Sequence, residues 1–184
     1  MSDYRYERSL KVAAPIERVA GFFRDGEAWF RLNPEWEVLA LDAQSLSVRY
    51  ERSEREASYR RPAGADFADT GGALVFAGDP PRTITLALSP QENGLTRIDW
   101  SETFAAPIET MRLAELNLWL QACAGYLTWA ARSDRRARLA RWLLDRFWLR
   151  MSPTGRRVSL LIVAMESLAL LLLIAVLLIY RYLG

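Results

Sequence analysis

Apolar and polar residues follow three patterns along this chain, and each predicts a different kind of element. Between Tyr4 and Ala13 they alternate: Tyr4, Tyr6, Leu10 and Val12 fall on one side, Arg5, Glu7, Ser9 and Lys11 on the other, with Arg8 as the interruption. A period of two predicts a half-buried strand. Pro15 then stands where the first turn of a helix tolerates it, and Ile16, Val19, Ala20 and Phe23 recur at helical spacing up to Arg24. Asp25-Gly26 closes that helix, and a shorter one through Trp29, Phe30 and Leu32 stops at Asn33-Pro34.

The period of two returns beyond Pro34. Trp36–Leu41 and Leu46–Arg52 read as a hairpin, and Ala57–Arg61 and Ala73–Ala77 as weaker strands around a Gly/Ala/Asp-rich turn region, Pro62–Gly72. Thr83–Leu88 and Leu95–Phe104 form a further hairpin, with Asn93-Gly94 as its turn signal. In its second strand Ile98, Trp100, Glu102 and Phe104 share one face. Pro107 then opens a long helix, Ile108 to about Arg132. Its stripe is Leu113, Leu116, Leu120, Cys123, Ala124, Leu127 and Ala131, widened by Met111, Trp119, Tyr126 and Trp129. Asp134–Arg150 continues as a second amphipathic helix, with Leu139, Trp142, Leu143, Phe147 and Trp148 set against Arg138, Arg141 and Asp145. Ser152-Pro-Thr-Gly155 reads as a break.

The third pattern has no polar face. Val158–Tyr180 runs 23 residues with one charge, Glu166, and no helix breaker. At 1.5 Å per residue it is about 35 Å long, enough to cross a hydrocarbon core of about 30 Å. A domain of this size does not surround such a helix on every side, so the expectation is a C-terminal transmembrane anchor. Its position is wrong for a signal peptide.

Charge sharpens that picture. Residues 1–131 carry 14 basic and 19 acidic side chains, whereas residues 132–157 carry nine Arg against Asp134 and Asp145. An acidic body on a basic neck argues against a nucleic-acid module and fits a neck on anionic headgroups, where each Arg adds about 1 kcal/mol. Arg150, Arg156 and Arg157 precede the span and only Arg181 follows it, which predicts a cytoplasmic N-terminal domain, an inner (cell) membrane location and a short tail, 181–184, on the far side. The single cysteine, Cys123, excludes an internal disulfide. The chain contains no histidine, which removes the commonest general base and metal ligand.

The order of strand, two short helices, about six antiparallel strands and a long helix, begun by LKVAAPIERVAGFFRDGEAWFRLNPEWEVL, resembles the START/Bet v 1-like superfamily (SRPBCC, the polyketide cyclase/lipid-transport group). The resemblance rests on Val12-Ala-Ala-Pro15, Val19, Phe22-Phe23, Trp29 and Leu32-Asn33-Pro34, and spans roughly residues 4–131. It implies an α+β helix-grip fold: a curved antiparallel sheet of about six to seven strands around the long helix, with an apolar cavity between them. The organisation expected is thus a helix-grip domain over 1–132, a basic juxtamembrane neck over 133–157 and a transmembrane helix over 158–180.

Candidate ligand-binding residues follow from the inward faces: Tyr50, Trp100, Glu102, Leu116, Leu120, Cys123 and Leu127. Each apolar one is read either as cavity lining or as ordinary core. Glu102 falls among apolar neighbours and needs a partner, for which Arg52 is the candidate. Cys123 sits on an apolar helix face with no histidine to form its thiolate, so it is read as inert. No carboxylate pair, metal cluster or phosphate loop stands out, Gly71-Gly72 leading into no helix. The expectation is therefore no catalytic residue, no metal and no cofactor. Glu166 is read as a contact for a membrane-protein partner, against a tolerated, protonated or snorkelling glutamate. Two functions follow: a membrane-anchored cytoplasmic module that binds a lipid, quinone or polyketide-like ligand without catalysis, or an accessory or assembly subunit of an inner-membrane complex.

Overall fold

The computed structural model describes residues 4–25, 27–42, 45–60, 70–76, 82–104, 107–108 and 110–183. Seven strands are present among them: β1 (Tyr4–Val12), β2 (Trp36–Leu41), β3 (Ser45–Tyr50), β4 (Glu56–Arg60), β5 (Gly71–Phe76), β6 (Arg82–Pro90) and β7 (Thr96–Phe104). Helices α1 (Ile16–Asp25) and α2 (Glu27–Arg31) follow β1, and α3 (Thr110–Ala131), α4 (Arg135–Arg146) and α5 (Pro153–Leu183) follow β7. The strands form two antiparallel sheets, ordered β1-β7-β6-β5 and β2-β3-β4. Of the expected turn region Pro62–Gly72, residues 62–69 lie outside the described residues, as do Arg61 and Ala77, and Gly71-Gly72 open β5 instead of belonging to the turn.

Local chemistry accounts for the joints. The N–H groups of Arg18 and Val19 donate to the Pro15 carbonyl, starting α1, and Thr96 Oγ1 donates to the Ala14 carbonyl at 2.7 Å, tying that corner to β7. The β6–β7 turn places Asn93 and Gly94 at φ +60° and +70°, the left-handed region that these two residues occupy most readily. Gly71 has no room for a side chain, since its φ is +108° and a Cβ there would lie 2.1 Å from the Leu86 carbonyl oxygen of β6.

The core lies between α3 and the sheets, and tryptophan dominates it. Trp29, Trp36, Trp100 and Trp119 are each at most 1% exposed. Trp119 of α3 is the hub: it stacks on Trp29 at 5.3 Å between ring centroids and meets Trp36 at 5.1 Å and Trp100 at 5.3 Å. Its indole N–H donates to the Trp29 carbonyl at 2.7 Å. Each such side chain buries roughly 150–250 Å², worth roughly 4–6 kcal/mol by area.

The expected stripe of α3 needs correction at its edges. Met111 and Trp129 are exposed, because the core-facing arc runs through Leu116, Trp119, Leu120, Cys123, Leu127 and Ala130. The helix begins at Thr110 rather than Ile108. Arg146 ends α4, a 3-10 turn over Trp148–Arg150 buries Leu149, and Ser152-Pro-Thr-Gly155 starts α5 instead of breaking the chain. Ser152 Oγ accepts the Gly155 N–H at 3.1 Å while Pro153 takes the first helical position, a start that satisfies an otherwise orphaned donor.

Among the described residues α5 is the one helix long and apolar enough to cross a membrane, over Pro153–Tyr182. From Leu160 to Tyr182 every residue is exposed. A core helix of comparable composition would be covered; this one is not.

Candidate functional site

A short corner after α2 organises the mouth of the grip. Asn33 is fully buried, and its Oδ1 accepts the Glu35 N–H at 2.9 Å, a turn that a side-chain amide imposes on its own backbone. Its Nδ2 donates to Glu115 Oε1 of α3 at 3.3 Å, and Arg112 Nη1 donates to both oxygens of Glu115 at 2.7 and 2.6 Å. The corner thereby presents Glu35, 8% exposed, to two guanidiniums: Arg52 at 3.1 Å and Arg157 of α5 at 3.4 Å. Arg157 also donates to the Pro34 carbonyl at 3.0 Å and approaches Glu51 at 3.7 Å, and the Thr154 N–H donates to Glu51 Oε1 at 2.5 Å. The apolar helix is thus hinged onto the domain by its first turn.

A cleft of about 300 Å³ opens beside this joint, lined by Glu35, Tyr50, Arg52, Met111, Glu115 and Leu118 among others. Tyr50 forms part of its wall and leads inward: its ring meets Trp36 edge-on at 6.1 Å, and its hydroxyl shares a 2.7 Å hydrogen bond with Tyr59. Met111 and Leu118 supply exposed apolar surface opposite. The cations of the cleft are already answered by carboxylates, so the lining offers apolar contact and paired polar groups rather than a free charge.

The predicted residues divide between this cleft and the interior. Tyr50 lines the cleft. Trp100, Leu116, Leu120 and Cys123 lie in one buried cluster, and burial pushes the Cys123 thiol far above its ordinary range. Leu127 belongs to that cluster and also floors a second groove, between α1 and α3, with Phe22, Tyr126 and Arg141. Glu102 is fully buried on β7, in register with Tyr6 of β1 and Ile84 of β6. Arg52, the partner expected for it, pairs instead with Glu35, because β3 ends at Tyr50 and carries Arg52 to the cleft rim. Near Glu102, Tyr6 donates to Asn117 Oδ1 at 2.8 Å, Arg8 donates to the same oxygen, and burial raises the Tyr6 hydroxyl above its usual value. Arg8, the interruption in the β1 pattern, is thus the strand's reach to α3.

Sequence reasoning missed Glu35, Glu115, Arg112 and Arg157 as a set. Asn33-Pro34 was visible as a helix stop, but no spacing rule connects residues 33, 51, 112 and 157. No group of acidic or sulfur side chains suited to a metal ion is present among the described residues.

No family model matches the chain, and no curated protein sequence matches it. Solved structures do. An aromatase/cyclase from a Streptomyces species superposes with a TM-score of 0.52 at 13% identity, covering 72% of this chain and 98% of that one. A conserved protein from Geobacillus kaustophilus gives 0.54 at 8% identity over 70% and 98%, and a protein from Chromobacterium violaceum 0.51 at 18% over 68% and 97%. Nearly the whole length of each is matched, while about three-tenths of this chain is left over. The chain shares the helix-grip fold of these solved structures, joined to one exposed apolar helix.

Proposed function

We propose that this chain is a single-pass, membrane-anchored helix-grip module that takes up an apolar ligand presented at the bilayer surface. Its domain stands on the cytoplasmic side of the inner membrane, and α5 crosses the bilayer from about Val158 to Tyr180. The observation that carries the reading is the sharing of Glu35: the same carboxylate lines the cleft and holds Arg157 of the anchor. The cleft therefore opens at the base of the anchor, where an amphiphile leaving the leaflet would meet Tyr50, Met111 and Leu118 first. A tethered domain meets such a ligand at high local concentration, without diffusing to it. The helix-grip fold supports apolar binding in general terms, and the sequence lacks histidine, the commonest general base, which favours binding over proton transfer as the role.

The test is lipid extraction from full-length protein purified in mild detergent, followed by mass spectrometry. The expected result is a stoichiometric amphiphile that disappears in Leu118→Asp, an exposed position where folding is undisturbed. Recovery of no ligand from either protein would overturn this reading. A second reading would then lead: an accessory subunit of a membrane complex, with a partner at Glu166. The tryptophan-packed interior favours it, since Trp119 and its neighbours occupy the space between α3 and the sheets where the resemblance implies a cavity.

A further inference from the structure

Helix α4 turns its apolar side away from the protein. Leu139, Trp142 and Leu143, with Phe147 just past the helix end, are 59, 55, 46 and 51% exposed, although their spacing places them on one arc. The opposite arc is fixed to α3: Ala137 is buried, Tyr126 donates to Asp145 at 2.8 Å and Arg141 donates to the Ala130 carbonyl at 3.3 Å. The exposed arc is therefore held in place rather than left to rotate inward. Trp142 and Phe147 pack edge to face at 5.6 Å, already arranged as a pair.

We infer that α4 lies in the plane of an anionic leaflet, with these four side chains sunk into the boundary between headgroups and acyl chains. The inference rests on the reading of α5 as a span, and it adds a second, in-plane contact to the transmembrane one. Three features select the bilayer over another occupant. Only Phe147, the 3-10 turn and Met151-Ser152 separate α4 from α5, so α4 stays within reach of the surface that α5 enters. Arg135 and Arg136 at one end and Arg146 at the other flank the apolar arc, as on helices that lie in interfaces and send guanidiniums to phosphates. No acidic residue falls within that arc, because Asp145 is turned to Tyr126, so a second copy would meet like charge with like.

The test uses the full chain in nanodiscs of phosphatidylglycerol and phosphatidylcholine. Cys123 is buried and does not compete for a thiol label, so Leu143→Cys and, on another side of α4, Arg138→Cys each carry one environment-sensitive fluorophore. Lipids spin-labelled high on the acyl chain should quench the label at 143 about threefold more than at 138, with aqueous iodide showing the reverse order. Equal quenching at both sites, or a label at 143 reached by iodide and not by lipid, overturns the inference. So does a label at 143 shielded from both quenchers, the mark of a protein partner or second copy. If the chain does not enter nanodiscs at all, α5 is no span, and the anchor reading fails first.

Discussion

The grip domain and the helices beyond α3 use apolar residues in opposite ways. In the domain, large side chains face each other: three tryptophans meet around Trp119 and none of the four is more than 1% exposed. Beyond α3, the leucines and isoleucines left uncovered along α4 and α5 stand at 45–64% exposure. Isolated apolar residues on a surface need no explanation, but a continuous apolar helix does. One set of side chains is removed from water by the chain itself; the other is left uncovered, as the proposed span and in-plane helix require. The nine Arg of residues 132–157 lie between the acidic domain and the apolar run, whose one charge is Glu166.

Substitutions can pull the two regions apart. The largest effect is expected from Leu170→Arg with Ile174→Arg in mid-α5, which together oppose insertion by roughly 5–7 kcal/mol. Alkaline extraction of membranes should then release the protein, while the melting temperature of the domain stays unchanged. Trp119→Ala is the converse: removing the hub should cost roughly 3–5 kcal/mol of domain stability, read from urea unfolding, with membrane retention intact. If either variant moved both readouts equally, the regions would not be independent.

The joint between them should be softer. Glu35→Ala leaves Arg52 and Arg157 without their shared carboxylate and is expected to cost about 1–2 kcal/mol, since both guanidiniums are more than half exposed and screened. Its signature is faster amide exchange at Thr154–Arg157 without global unfolding. The smallest effect concerns Tyr126. Burial, and then its hydrogen bond to Asp145, raise its hydroxyl pKa above the ordinary value near 10. A folded value above the unfolded one means a contribution complete below about pH 10 and lost as pH rises past it. Melting temperature should therefore fall on alkaline titration, and Tyr126→Phe should flatten that part of the profile.

The sequence alone determined what depends on local periodicity. Alternation in β1 and β7, helical spacing in α1 and α3, Asn93-Gly94 at its turn, and the 23-residue apolar run all follow from side-chain period and length, which neighbours in sequence dictate. It also placed Ile98, Trp100 and Glu102 on one strand face, because a strand has only two. What it could not reach is whatever needs distant residues in register. Trp29, Trp36 and Trp119 read as scattered aromatics until two sheets and α3 close around them. Arg52 was free to serve Glu102 until the end of β3 carried it to Glu35. The apolar arc of α4 had a legible period, but its direction, away from the domain, is set by Tyr126 and Ala130 of another helix. Periodicity tells which residues share a face; only packing decides what that face meets.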